Sequence, residues 1–256
     1  MDVSVSETFQ LGGYVNYGNL QLWQQGQSGS GSWQADGWGG GVTADYWTRN
    51  FYVQAALGMT GFSGESRREV QRQGALLDGG TAKGMRSAGS MLGAVRIGAP
   101  MELGATYLEP QFTATWSGNQ QHRFIESGAD AMVNLTYESY STNYLQTALG
   151  VKAAWPLKRG ETALFTPSLR AAWLADWDLS NGPQRMGLSF TGKGYEVASN
   201  PDSSHAMGAL LEAGLDYSVA QLKGASVKAY LRRGAELWGG NRGAQWRASG
   251  GVTVQF

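Results

Sequence analysis

The chain of 256 residues has no cysteine, two histidines, six prolines and no net formal charge, with 20 Lys and Arg against 20 Asp and Glu. Without cysteine there is no disulfide framework and no thiolate metal site, a usage that suits export through an oxidising periplasm. The two histidines, His122 and His205, do not stand at ligand spacing and give no metal centre. A neutral balance gives no support to nucleic-acid binding. No apolar run approaches the ~18 residues of a transmembrane helix. There is no nucleophile elbow and no phosphate loop, and Gly39-Gly40-Gly41 reads as small residues in a strongly curved strand. Residues 1–6 have neither a basic n-region nor an apolar h-region. They are expected to be a disordered or added end on a mature fragment, and residues 7–256 a single domain.

What is abundant is glycine, at 38 residues, with 10 Trp and 11 Tyr. That profile means many tight turns and many interfacial aromatics. The mean hydropathy of -0.31 does not choose between a soluble protein and a barrel around a polar lumen.

The strongest local signal is the stretch 245–256. Trp246, Ala248, Gly250, Val252, Val254 and Phe256 fall on one face of a strand, and Gln245, Arg247, Ser249, Gly251, Thr253 and Gln255 on the other. Its length matches the ~9–11 residues that a tilted strand needs to cross the hydrocarbon. The same alternation recurs at about 7–23, 38–46, 51–60, 91–98, 107–116, 145–155, 165–177, 207–218 and 227–232, predicting ten strands.

The connections then sort themselves. Long polar segments are expected at 24–32, 63–83, 119–132 and 181–204, with a weaker one at 238–243, and short turns at 48–50, near Pro100, at 156–161 and at 221–225. Alternating long and short connections, an even strand number and both ends on the short-turn side are the rules of bacterial outer-membrane barrels. The predicted fold is therefore an all-β, transmembrane, antiparallel up-and-down barrel, with its C-terminus periplasmic and its long loops extracellular.

On this reading the lumen receives Asp45, Arg96, Glu109, Gln111, Lys152, Arg170, Asp176, Glu212, Asp216, Lys228, Arg232 and Arg247. Both signs are present in similar number, which predicts a hydrated, charge-balanced tube and no greasy cavity for lipid or haem. Trp116, Trp155, Phe165, Trp177 and Tyr217 sit at strand ends, where membrane-interface girdles place aromatics. Val252, Val254 and Phe256 form the terminal alternation that assembly machinery reads in such barrels.

Tyr107-Leu108-Glu109-Pro110-Gln111, Leu149-Gly150-Val151-Lys152, Phe165-Thr166-Pro167, the 208–215 strand and Val252-Thr253-Val254-Gln255-Phe256 together resemble the translocator domain of classical (type V) autotransporters, over most of residues 88–256. The resemblance implies a 12-stranded barrel, an N-terminal plug helix and an upstream passenger carried to the cell surface. It implies outer-membrane lipid, lipopolysaccharide, the barrel-assembly machinery and the passenger as partners; no cofactor is expected, and because the helix segment that some such barrels cut with acidic lumen residues is not in this sequence, no catalytic residue is assigned. Ten strands and no helix depart from that pattern, and an open edge in lipid would be costly. The alternatives are a small outer-membrane channel or adhesion barrel without a passenger, and a surface protease of omptin type using His122 or His205 with nearby Asp130 or Asp202.

Overall fold

Side chains that alternate at period two force extended backbone, and each extended segment must find hydrogen-bond partners on both edges. The computed structural model describes residues 2–26, 29–72, 79–130, 132–160, 162–180, 183–191, 194–197, 205–222 and 225–255. Its strands are β1 (Asp2–Ser6), β2 (Phe9–Gly26), β3 (Gly29–Trp47), β4 (Tyr52–Val70), β5 (Gly80–Gly98), β6 (Met101–Leu103), β7 (Thr106–Gln121), β8 (Phe124–Ile125), β9 (Leu135–Tyr137), β10 (Tyr140–Ala154), β11 (Leu157–Arg159), β12 (Ala163–Asp178), β13 (Gln184–Leu188), β14 (Gly194–Val197), β15 (His205–Leu222), β16 (Ala225–Trp238) and β17 (Ala244–Gln255). There is no α-helix among the described residues.

The main sheet is antiparallel and curled, and runs β1-β2-β3-β4-β5-β7-β10-β12-β15-β16-β17, each strand beside its neighbour in sequence apart from short insertions. The ten predicted strands correspond one for one to β2, β3, β4, β5, β7, β10, β12, β15, β16 and β17. The count differs because short pieces join them: β1 pairs with β2, β6 with β7 and β11 with β12. Residues 2–6, expected to be disordered, form β1, because Val3 and Val5 continue the alternation and Val3 pairs opposite Leu11. Gly104 and Gly160 adopt positive φ, at 64° and 68°, to close the small hairpins that follow β6 and β11.

Several predicted loops are strand. β2 and β3 stay paired up to Gly26 opposite Gly29, so the described residues of the expected loop 24–32 are strand. β4 runs through charged Glu65, Arg67 and Arg68 to Val70, opposite Gly80 of β5. Ladder bonds need only backbone, so polar composition does not end the strand. The region 119–139 contributes β8 and β9, and 184–197 the hairpin β13–β14; these four form a second sheet in the order β14-β13-β9-β8. That sheet continues the wall above β5: His122 N–H donates to the Ser87 carbonyl, and Lys83 and Ser127 exchange backbone bonds at 2.8 Å.

Among the described residues no ladder joins β1 to β17, so the main sheet has two edges.

Candidate functional site

Burial along the strands is inverted relative to a water-soluble protein. Leu169, Leu211 and Leu231, which stand opposite Ala213, Ala171 and Leu215 on the convex face, are each more than half exposed. Their sequence neighbours Arg170, Glu212 and Arg232 lie on the concave face with Gln111 and Ser168, which are 2% and 5% exposed. An apolar surface this extensive, carried by every long strand, is a surface made for hydrocarbon.

Register assembles the predicted polar residues into a row: Glu109 faces Lys152, Lys152 faces Arg170, Arg170 faces Glu212, Glu212 faces Gly234 and Gly234 faces Arg247. At one end Glu109 collects three donors. The Tyr52 hydroxyl donates to it, Gln111 Nε2 donates at 2.6 Å, and Arg96 lies 3.5 Å away with its guanidinium over the Tyr52 ring. At the other end Arg247 bridges Glu212 at 2.7 Å and Glu236 at 2.9 Å. Between them Arg170 keeps its buried Nε without a partner, and Lys152 makes no ion pair among the described residues.

The remaining polar candidates are separate. Asp216 takes a two-oxygen contact from Arg232 Nη2 at 2.7 and 2.9 Å, Asp176 is paired with Arg242 from the turn before β17, and Asp45 accepts from Gln54 Nε2 at 2.9 Å. Lys228 stands opposite Ser218 and Thr253, away from the row. The concave face is not wholly polar: Ala148, Ala172, Leu174, Leu210 and Trp238 form a small apolar cluster there.

Across β2–β4 the concave face is rich in glycine. Cβ atoms at Gly41 and Gly58 would lie 2.6 and 2.3 Å from the Tyr14 hydroxyl, and one at Gly37 2.4 Å from the Phe62 ring. The aromatic side chains lie flat where glycine leaves room, which is the physical content of the Gly39-Gly40-Gly41 run.

Of the predicted girdle, Trp116 and Trp177 share one cross-strand row, joined there by Leu145 and His205, and Phe165 and Tyr217 share another. The twelve steps from Phe165 to Trp177 span ~40 Å along a strand, or ~30 Å vertically at a ~40° tilt, the thickness of a hydrocarbon core. Trp155 is half-buried, with its N–H on the Pro167 carbonyl. Val252 and Val254 face outward on β17; Phe256 lies outside the described residues.

Sequence reasoning missed the mouth. Arg68 holds Glu126, donates to the Val133 carbonyl at 2.7 Å, and Glu126 accepts from Leu135 N–H at 3.0 Å. Phe124 stacks on Tyr137 at 4.4 Å, and burial, reinforced by the Glu126 carboxylate, raises the Tyr137 phenol above its ordinary range. Arg68 sits in a run that composition marks as loop, so only the register showed it inside the wall. Also missed was Arg233, exposed on the convex face between Ala213 and Ala248.

His122 and His205 do not form a constellation: the first bonds Ser87 through its backbone, and the second packs edge-on against Trp177 at 5.0 Å. Asp130 caps the Met132 N–H at 2.9 Å, and Asp202 lies outside the described residues. No group of three His, Cys, Asp or Glu able to hold a metal occurs among the described residues.

The sequence profile of the autotransporter β-domain matches residues 1–231. The fold is similar to that of the translocator domain of the autotransporter NalP from Neisseria meningitidis, with TM-score 0.63, 16% identity, and coverage of 99% of this chain and 76% of that one. The outer-membrane protease OmpT from Escherichia coli aligns at TM-score 0.33 and 8% identity, over 96% of this chain and 91% of that one, too distantly to carry an argument. No curated protein sequence matches the chain.

Proposed function

Because the chain belongs to the autotransporter β-domain family, whose members are outer-membrane β-barrels, we propose that it is the membrane anchor and hydrated conduit through which a polypeptide upstream of it reaches the cell surface. The inverted burial carries this reading: Leu169 looks out from the convex face while Arg170 beside it is drawn inward. Lipid tails solvate the first and water in the lumen the second.

The proposed orientation places the turns at 48–51, 99–105 and 155–162 in the periplasm and the β8–β9–β13–β14 sheet outside the cell. Outer-membrane lipid and lipopolysaccharide cover the convex apolar belt, and the barrel-assembly machinery reads β17 through Val252, Val254 and the terminal Phe256. The edges of β1 and β17 expose backbone donors and acceptors that hydrocarbon does not satisfy; in the membrane they close on each other or on further strands. The lumen wall offers no catalytic constellation among the described residues, and the proposed role is passive.

The test is export. The chain is expressed in a Gram-negative host behind a signal peptide and an epitope-tagged passenger, and intact cells are treated with protease. The expected result is a tag cleaved from outside with the barrel protected. A chain that inserts, conducts ions in a planar bilayer and leaves its passenger periplasmic would replace this reading with that of a small channel.

A further inference from the structure

Above its apolar belt the convex face of β2 to β5 changes character. The Tyr17 and Trp38 rings meet at 4.9 Å, and in the next outward row Asp36 accepts from the Tyr17 hydroxyl at 2.7 Å and from Asn19 Nδ2 at 2.9 Å. Outward aromatics followed by an ion mark where a wall passes from hydrocarbon to water. From Trp38 to Ser32 the paired strands rise ~20 Å further, or ~15 Å vertically at a ~40° tilt.

In that upper wall one row of the ladder brings together Trp23, Ser32, Arg67 and Lys83, each opposite the next. With Glu69 and Thr81 of the following row they line a cavity of about 470 Å³. Its groups are open to the outside: Trp23 is 73% exposed and the Arg67 side chain 58%. Trp33, the residue after Ser32, points the other way and is 6% exposed, with the Arg86 guanidinium 4.3 Å over its ring. That tryptophan is used by the wall itself, whereas among the described residues no ring or cation stacks on Trp23.

The charges are also arranged for a partner. Glu65 holds Arg67, the Ser30 hydroxyl donates to Glu69 at 3.0 Å, and Lys83 makes no ion pair among the described residues although it stands opposite Arg67. Like charges facing each other across strands disfavour the pairing until an anion lies between them. A sugar ring has an apolar C–H face that lies on an indole, and hydroxyls that trade hydrogen bonds with Glu69, Ser32 and Thr81. A phosphate or carboxylate carried on that ring meets Lys83 and Arg67. The belt below fixes the source, because lipid tails cover the convex face up to Trp38 and the anionic sugar core of lipopolysaccharide stands directly over such tails.

We propose that the outer wall of β2 to β5 holds the anionic sugar core of a neighbouring lipopolysaccharide, with Trp23 as the stacking platform and Arg67 and Lys83 as the charge partners. The proposal rests on the membrane orientation proposed for the chain, and adds to it the ligand class and the residues.

The experiment is isothermal titration of the full chain, folded in detergent micelles, with core oligosaccharide freed of its lipid and with neutral maltotriose. Saturable binding of the core is expected, with maltotriose weaker by about tenfold or more. Trp23→Ala should weaken core binding about tenfold while heat-modifiable gel mobility still reports a folded barrel. Arg67→Gln with Lys83→Gln should bring the core down to the affinity of maltotriose. A second readout does not need the alanine variant to fold: the emission of Trp23, taken as the wild-type spectrum minus that of Trp23→Phe, should shift as the core saturates. Equal binding of the two saccharides, no saturable binding of the core, or undiminished binding by Trp23→Ala overturns the proposal. A chain that exports its passenger and takes up no core sugar sinks this inference alone, whereas one that forms no barrel in detergent takes down the reading beneath it as well.

Discussion

The two halves of the sheet fill their concave side by different means. β2 to β5 are 18 or 19 residues long, each paired with the next, and on β2 to β4 their inner face carries glycines under Tyr14 and Phe62. β7, β10 and β12 stop at 15 or 16 residues, hand the outer wall to a separate small sheet, and put a row of ions inside. A curled sheet can thus be supported by removing side chains so that rings lie flat, or by long charged chains that reach one another across strands. The first support is steric and fails on adding a methyl; the second is electrostatic and fails on removing a partner.

The largest effect should come from the glycine half. A Cβ at Gly64 would lie 1.9 Å from the Gln34 carbonyl, which is backbone and has nowhere to go. Gly64→Val should therefore cost ~3 kcal/mol or more in urea unfolding of the detergent-folded barrel. Gly61→Ala, with open space around it, should leave the midpoint unchanged; if both variants behave alike, the steric account fails.

In the ionic half, Glu109→Leu strips the acceptor from Tyr52, Gln111 and Arg96 at once. A loss of ~2–3 kcal/mol is expected in the same assay, since three partners are left unmet on a partly buried face. A double-mutant cycle with Tyr52→Phe should show coupling, and additive values would mean that the cluster does not act as a unit.

Between the two supports lies an oddity. Arg233 faces outward in the same register as Ala213 and Leu169, within the apolar belt. Arg233→Leu should stabilise the barrel in lipid vesicles by ~2 kcal/mol, because an arginine in hydrocarbon is costly. A destabilised variant would place that position outside the membrane or against a partner.

The smallest effect concerns the rim. Glu126→Gln weakens the hold of Arg68 on the β8–β9 segment, and limited proteolysis should cut residues 122–139 faster while the unfolding midpoint moves by less than ~1 kcal/mol. An unchanged cleavage rate would remove the Arg68–Glu126 pair as the anchor.

Legibility followed the same division. The ten long strands and their faces could be read from alternation alone, because one face meets lipid and the other water, and that contrast writes itself into every second residue from Leu11 to Val254. The predicted loops failed at the far ends of the long strands: toward Gly26 and Gly29 and toward Val70 and Gly80 alternation disappears and composition looks like loop, although the ladder continues to those residues. β1 was lost for a related reason, being too short for a periodicity to register. Of the polar candidates, parity placed Glu109, Arg170, Glu212 and Arg247 on one face, but nothing in spacing said that Glu109 gathers Tyr52, Arg96 and Gln111, or that Asp176 is matched by Arg242 from a turn.

By itself the sequence determined the strand class, the face each side chain takes and the order of the hairpins, because these depend on period-two geometry and on solvents that differ across one sheet. Which ions pair, which glycines lie under a ring, how the mouth is walled and where Trp33 meets Arg86 were decided only by the tertiary structure. Those contacts join strands dozens of residues apart, and their distances are set by register and curl, which leave no local trace in the chain.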